Sequence, residues 1–159
     1  MKILAALALF GLSSVASPCT VPPPTVFRDH AALVNEASAI VIVEAVASPA
    51  SKGKSCRLRL VRTLKGNVTK TVLIACHLPS AGYWMTDFKA HSDAVFWQER
   101  RGRLGIKGDC SPISPAFEVG HSYLVLIGVS PDTKQYEEIA GSTDQWLVFV
   151  EQQLSRGKQ

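Results

Sequence analysis

The chain has 159 residues, of which 47% are hydrophobic and 19% are charged, so it suits a single globular domain and is too apolar for a disordered chain. Its 11 glycines and 9 prolines are ordinary counts, which excludes collagen-like and low-complexity classes. The net charge of +4 is a mild basic excess that does not by itself imply binding of nucleic acid.

Residues 1–16 have the pattern of a secretory signal peptide. Lys2 gives a positive start, Ile3–Leu12 is an apolar run too short to span a bilayer, and Ser14 and Ala16 are small residues before a cleavage site. We therefore predict cleavage near Ala16 and a secreted or periplasmic protein. No later run is long and apolar enough to span a bilayer, so we expect no transmembrane segment.

The mature chain is predicted to begin with a stiff leader, then a helix and a strand. Pro18–Pro24 is proline-rich and should be extended. Asp29 can cap a short helix over His30–Ala37, with its apolar residues on one face. Ala39–Val46 is nearly all apolar and rich in β-branched residues, which predicts a buried strand.

The clearest local pattern is a β-hairpin. Cys56–Leu60 alternates in polarity, Val72, Ile74 and Cys76 share one face of the second strand, and Gly66 or Asn67 between the strands can adopt the positive φ of a turn. Pairing Leu64 with Val68 fixes the register of the two strands. That register has three opposed pairs, which are Leu60 with Val72, Leu58 with Ile74, and Cys56 with Cys76.

The second half of the chain is predicted to add more strands and a last helix. Predicted strands cover 94–98, 103–107, 122–129 and 135–139. Asp144 can cap a helix whose apolar face holds Trp146, Leu147, Val150 and Leu154. The tail, residues 155–159, is expected to fray. Short strands of even spacing predict one small closed antiparallel barrel over residues 17–154, with a β-sandwich as the alternative.

The four cysteines of an exported chain are expected to form two disulfides. The hairpin register places Cys56 within disulfide range of Cys76, which leaves Cys19 to pair with Cys110. The chain has no closely spaced cysteine pair, so we do not expect a structural zinc site.

The segment Cys19-Thr20-Val21-Pro22-Pro23 resembles the mature N-terminus of the tissue inhibitors of metalloproteinases, which reads Cys-Thr-Cys-Val-Pro-Pro. A Leu64-Lys65-Gly66 turn, Cys110 and a Tyr123-Leu124-Val125 strand then follow in the order of that family. The resemblance implies a netrin-like module, which is an OB-like Greek-key barrel with flanking helices. It also implies a disulfide from Cys19 to Cys110.

The same resemblance implies a non-enzymatic binding function. In this family the α-amine and carbonyl of the first cysteine chelate the zinc of a target metalloprotease, and the next side chain enters its specificity pocket. Cys19 would be that chelator and Thr20 the pocket residue, with Val21 and Pro22 completing the inhibitory segment. The protein would hold no metal of its own, because Cys19 would bind zinc only on the partner.

A basic stripe over residues 52–70 and an aromatic segment over residues 83–97 point to an alternative function. The stripe carries no acidic residue, and its candidate anion-binding residues are Lys52, Lys54, Arg57, Arg59 and Arg62. An exported barrel with such a stripe would be an adhesion or accessory module for an anionic polysaccharide or a protein partner, and not for nucleic acid. The plain explanation of the basic stripe is a solvated surface, and that of the aromatic segment is ordinary core packing.

The sequence offers no assembled catalytic or cofactor site. It has no GxSxG, GxGxxG or Walker pattern, so we expect neither an enzyme nor a cofactor. His91 and Asp93, with Asp87 nearby, are residue types that can bind a metal ion. They lie in an irregular region without a second histidine at a defined spacing, so they do not indicate a metal site. We predict that His91, like His77 and His121, is a surface or loop histidine.

Overall fold

The computed structural model describes residues 29–47, 55–68, 72–75, 90–98, 117–130 and 135–157. Within these ranges the elements follow in this order: α1 (His30–Glu36), β1 (Ala39–Ala47), β2 (Ser55–Lys65), β3 (Val72–Ala75), α2 (Ala94–Gln98), β4 (Ser122–Ile127), β5 (Tyr136–Ile139) and α3 (Gln145–Arg156). The predicted mainly-β domain with a helix towards each end is confirmed.

The strands form one five-stranded sheet in the order β3-β2-β1-β4-β5, and every neighbouring pair is antiparallel. The order β4-β1-β2-β3 is that of a Greek key, in which a fourth strand returns to lie beside the first. Among the described strands, β3 and β5 are the two edges of the sheet and do not pair with each other. The closed barrel that the sequence predicts is therefore not present in the described part of the chain.

The predicted hairpin register is wrong by two residues. Cys56 lies opposite Ile74 and Leu58 lies opposite Val72. A shift of two residues keeps every side chain on its predicted face, because the side-chain period of a strand is two. Cys56 and Leu58 are accordingly buried, while Arg57 and Arg59 are exposed.

β2 does not pair evenly with β1. The register between these strands shifts at three places, between Ile40 and Val41, between Ile42 and Val43, and between Ala45 and Ala47. Such irregularities bend a strand and increase its right-handed twist. The long strand β2 therefore curves, and β3 pairs only with its first part, from Ser55 to Leu58.

Both terminal helices begin at the predicted aspartates. The Asp29 carboxylate accepts a hydrogen bond from the Ala32 amide, and Asp144 accepts from the amides of Trp146 and Leu147. These side chains satisfy amides that have no partner within the helix. α3 continues through Arg156, so it extends two residues into the segment 155–159.

The prediction of a strand over residues 94–98 is wrong, because Ala94–Gln98 is a helix of 5 residues. The Phe96 amide donates to the Asp93 carbonyl at the start of this helix, and the Phe96 ring is 1% exposed. Burial of Phe96 against residues distant in sequence thus overrides the strand propensity of so short a segment.

The sheet separates two apolar clusters. One face packs against the helices, and its cluster includes Ile40, Ile42, Leu124, Leu126 and, from α3, Trp146 and Val150. The other face carries Val41, Val43, Leu58, Phe117, Tyr123 and Val125. Because alternate residues of β1 and β4 serve the two clusters, both central strands are apolar along most of their length.

Candidate functional site

The N-terminal segment predicted to bind a partner is outside the described residues, which begin at Asp29. This applies to Cys19, Thr20, Val21 and Pro22. Cys76 and Cys110 are outside them as well, so the pairings Cys56–Cys76 and Cys19–Cys110 stay predictions. Cys56 itself is fully buried on the face of the sheet opposite the helices.

The described residues of the basic stripe are mostly engaged within the molecule. Arg59 Nη2 lies 2.5 Å from Glu44 Oε2, and Arg62 forms an ion pair with Glu151 of α3. Lys65 Nζ donates to the carbonyls of Val34 and Asn35, which are among the last of α1. This lysine therefore caps a helix C-terminus, where a positive charge is favoured. Lys52 and Lys54 lie outside the described residues.

The described part of the aromatic segment is packed inward. Phe96 stacks on His30 of α1 with ring centroids 4.9 Å apart, and its edge contacts Trp146 of α3 at 5.7 Å. Trp97 is half-buried and packs against Phe149 of α3 at 5.4 Å. These rings join the three helices, so core packing accounts for this part of the segment.

The best-defined polar site is a buried cluster of His91, Glu137 and Asp144. His91 Nδ1 lies 2.7 Å from Asp144 Oδ1, and His91 Nε2 lies 3.6 Å from Glu137 Oε2. All three residues are at most 1% exposed. His91 thus lies in a loop, which is one of the two predicted locations, but its side chain is buried there, whereas Asp93 is exposed.

The cluster joins three separate parts of the fold. His91 comes from the turn before α2, Glu137 from β5, and Asp144 is the N-cap of α3. Asp144 Oδ2 also accepts from the Ala140 amide, so both of its oxygens are used. One carboxylate therefore fixes the end of β5, the start of α3 and the imidazole together.

The electrostatics of the cluster favour an imidazolium between two carboxylates. Burial alone would lower the pKa of His91, but hydrogen bonds and charge interactions with Asp144 and Glu137 outweigh burial and raise the pKa above 6.5. Burial alone would raise the pKa of Asp144, but the hydrogen bond from His91 and those from backbone amides lower the pKa below 3.8.

Further backbone contacts hold the turn that carries His91. The Gln145 amide donates to the Ala90 carbonyl at 3.1 Å, and Trp97 Nε1 donates to the His91 carbonyl at 2.8 Å. Ala90 and His91 have φ values of 56° and 57°, the left-handed region that residues with a β-carbon seldom adopt. The strain persists because these contacts determine the conformation of the turn.

A second histidine–carboxylate group lies on the surface, as the sequence predicts for His121. His121 Nδ1 lies 2.7 Å from Glu138 Oε1, and Nε2 lies 3.5 Å from Glu118 Oε2. The hydrogen bond to Glu138 is the main cause of a raised pKa for His121, opposed by slight burial. The side chain is 44% exposed, so solvent screens this group strongly.

An apolar cavity of about 240 Å³ opens on the face of the sheet opposite the helices. Its lining includes Val41, Val43, Leu58, Val125 and Tyr136. This lining offers packing surface and few polar groups, so it can hold an apolar group but supplies little for catalysis.

Within the described ranges, no group of three or more histidine, cysteine, aspartate or glutamate residues is arranged to hold a metal ion. The helices of these same ranges are all too short or too polar to cross a bilayer.

The His91 cluster is enclosed, so in this conformation it acts as an internal ion pair and does not meet a substrate.

Comparison with known proteins gives no relative for this chain: no family model, no curated protein and no solved structure matches it.

Sequence reasoning identified Asp144 as a helix cap but missed its partners. The cap is a local signal, because an aspartate directly precedes a run with helical periodicity. His91 lies 53 residues before Asp144 in an irregular segment, where no periodic pattern indicates burial. The pairing of the two became visible only in the folded chain.

Proposed function

We propose that this chain is an exported, non-enzymatic binding domain of the netrin-like type that inhibits a zinc metalloprotease through Cys19 and Thr20. The proposal includes a signal peptide over residues 1–16, an OB-like barrel and the disulfides Cys19–Cys110 and Cys56–Cys76. The observation that supports it best is the strand order, with a Greek key of β4-β1-β2-β3 followed by β5.

The strand order agrees with a five-stranded Greek-key barrel that is open between β3 and β5. The irregular pairing of β1 with β2 bends the sheet in the way that a barrel requires. Closure would bring the edges β3 and β5 together and remove both exposed edges.

The terminal helices also agree with the netrin-like type. α1 and α3 contact each other on the same face of the sheet, and their side chains share one apolar cluster. The capping contact of Asp29 fixes where α1 starts, a few residues after the proline-rich segment. The inhibitory segment would therefore be attached to a rigid part of the domain, which lowers the entropy that binding costs.

The alternative function has weaker support from the described residues. Arg59, Arg62 and Lys65 already interact with groups of the same chain, and Phe96 belongs to the core. Among the described residues of the stripe, Arg57 is exposed and has no ion pair. Within the described part of the stripe, a single exposed arginine without an ion pair is a small basis for binding a polyanion.

The decisive experiment compares two forms of the secreted protein against a panel of zinc metalloproteases. One form begins at Cys19 and the other carries one additional alanine before it. An α-amine can chelate zinc together with the adjacent carbonyl, whereas an amide nitrogen cannot, so the first form should inhibit and the extended form should not.

Mass spectrometry of the exported protein is the companion measurement, because Ser17 and Pro18 would precede Cys19 after cleavage at Ala16. An Arg57→Ala variant that begins at Cys19 is the matched control and should inhibit as the parent does. Equal inhibition by the extended form would contradict chelation by Cys19, and no inhibition by either form would contradict the proposed function.

A further inference from the structure

The apolar cavity of about 240 Å³ has a floor formed by neighbouring strands of the sheet. Val41 of β1 lies opposite Val125 of β4, and Val125 lies opposite Tyr136 of β5, so these residues form one row across the sheet. Val43 of β1 and Leu58 of β2 complete the apolar floor. Backbone hydrogen bonds join these strands, so the floor exists before any ligand binds.

The cavity opens at the end of β4 and the start of β5. Val41 and Val43 of the floor are at most 1% exposed. Ile127, Gln135 and Tyr136 line the same cavity and are partly exposed. A small molecule therefore has a path to the floor from this end, and the strands need not separate.

The volume and the charge of the lining define the chemistry of the ligand. An apolar cavity of about 150 Å³ can hold benzene, so about 240 Å³ suits a molecule of about ten non-hydrogen atoms. None of the described residues that line the cavity is charged. A charged ligand group would lose its hydration there without gaining a counterion, which is strongly unfavourable, so the cavity favours an uncharged molecule.

Tyr136 adds one polar group to this apolar lining. Its ring packs edge-on against Phe117 with centroids 5.5 Å apart, which fixes the ring at the wall of the cavity. Burial raises the pKa of Tyr136, so the hydroxyl keeps its proton at neutral pH and can donate a hydrogen bond. None of the described residues hydrogen-bonds to this hydroxyl. A partly buried hydroxyl without a partner is unfavourable, and a ligand with one polar group would supply the partner.

We propose that this cavity binds one small uncharged molecule, which is apolar over most of its surface and carries a single polar group that hydrogen-bonds to the Tyr136 hydroxyl. Phenols and short aliphatic alcohols belong to this chemical class. The inference does not depend on the proposed function, because none of the residues that carry it belongs to the inhibitory segment, residues 19–22.

Methyl NMR of the full chain, titrated with thymol as the probe, tests the cavity directly. Thymol is an uncharged phenol at neutral pH and has the size that the cavity requires. Binding should saturate, and it should shift the methyl resonances of Val43, Leu58 and Val125. The methyl resonances of Val148, on α3 at the opposite face of the sheet, should stay in place.

Two further probes separate the polar group from the charge. p-Cymene is thymol without its hydroxyl group, so Tyr136→Phe should weaken the binding of thymol about fivefold, the usual value of one neutral hydrogen bond, and leave the binding of p-cymene unchanged. p-Isopropylbenzoate has a similar size and a negative charge, and it should bind the parent at least about tenfold more weakly than thymol does.

The same substitution at two valines provides the matched comparison. Val43→Phe places a larger side chain at the floor and should weaken the binding of thymol by about tenfold or more. Val148→Phe makes the same change at an exposed position of α3 and should bind thymol as the parent does. If Val43→Phe does not fold, the comparison of thymol with p-cymene in Tyr136→Phe decides the question.

Four results would overturn the proposal. The first is a lack of saturable binding of thymol to the parent, which would mean that the space is already filled. The second is a set of shifts that lie mainly on α3, and the third is binding of p-isopropylbenzoate as tight as that of thymol. The fourth is an equal effect of Tyr136→Phe on thymol and p-cymene. Protease inhibition is not among these measurements, so failure here leaves the proposed function unaffected.

Discussion

Asp144 shows how one side chain can serve several parts of a small domain. Its Oδ1 atom accepts from His91 Nδ1 and from the Trp146 amide, and its Oδ2 atom accepts from the Ala140 amide. The side chain of Asp29 has the simpler role, since at an exposed position it accepts a hydrogen bond from the Ala32 amide at 2.6 Å. The two aspartates cap the first and the last helix of the described chain.

Replacing these two aspartates separates the capping contribution from the buried ion pair. Asp29→Ala should lower the free energy of unfolding by about 1 kcal/mol, the usual loss for a helix cap. Asp144→Ala should lower it by about 3 kcal/mol or more, because His91 also loses a buried partner. Urea unfolding at neutral pH measures both values, and equal losses would show that the His91 contact adds nothing.

The same cluster predicts how stability changes with pH. The lowered pKa of Asp144 means that its contribution is present above pH 3.8 and is lost as pH falls through the folded-state pKa. The raised pKa of His91 gives a contribution that is present below pH 6.5 and is lost as pH rises through its folded-state pKa. The free energy of unfolding should therefore be greatest between about pH 4 and about pH 6.5.

Urea unfolding across this range checks the profile, with His121→Gln as the control. His121 also has a raised pKa, but its exposed side chain contributes little to stability, so the variant should keep the shape of the parent profile. A profile that is flat from about pH 5 to about pH 9 would contradict the role assigned to His91.

At the level of elements, two glycines with positive φ provide a matched comparison. Gly66 follows β2 with φ of 75°, and a Cβ atom there would lie 2.6 Å from the Ser38 carbonyl oxygen. Gly120 precedes β4 with φ of 88°, and a Cβ atom there would meet nothing within 4 Å. The two positions share a left-handed backbone conformation and differ in the space available to a side chain.

Alanine at these positions should therefore have unequal effects. Gly120→Ala should lower the free energy of unfolding by about 1 kcal/mol, because a residue with a β-carbon is unfavourable in the left-handed conformation. Gly66→Ala should cost about 3 kcal/mol, because Ser38 must also move away from the added methyl group. Thermal or urea unfolding of both variants gives the comparison, and losses that agree within error would show that the end of β2 adapts freely.

The local elements could be predicted from sequence and their long-range relations could not. α1 and α3 carry an aspartate cap and a helical apolar period within a few residues. The pairing of β2 with β3 was misplaced by two residues because alternation looks the same after such a shift. α2 and the burial of His91 depend on contacts with α3, for which the local sequence carries no signal.

At the scale of the whole molecule, the cavity on one face of the sheet allows a comparison between two buried valines. Val150 is fully buried on the helix side of the sheet, and the opposite face borders the apolar cavity of about 240 Å³. Val43 lines that cavity and is itself 1% exposed. An extra methylene group therefore has room beside Val43, whereas at the fully buried Val150 it must be fitted into a packed core.

Val43→Ile and Val150→Ile test this difference with the same chemical change. Val43→Ile should raise the free energy of unfolding by up to about 0.8 kcal/mol, the value of one buried methylene group. Val150→Ile should lower it by about 1 kcal/mol through overpacking. Denaturant unfolding of both variants is the measurement, and destabilisation by Val43→Ile would show that the cavity is not available for packing.

The central position of β1 has a consequence for synthesis of the chain. β1 pairs with β4, so Ile42 meets Leu124 only after most of the polypeptide has left the ribosome. Closing so long a loop is entropically costly, and folds with such distant pairings assemble slowly. Until Ser122–Ile127 emerges, one edge of the apolar strand β1 has not yet received β4. An unpaired apolar edge can pair with another chain, so docking of β4 on β1 protects the new chain from aggregation.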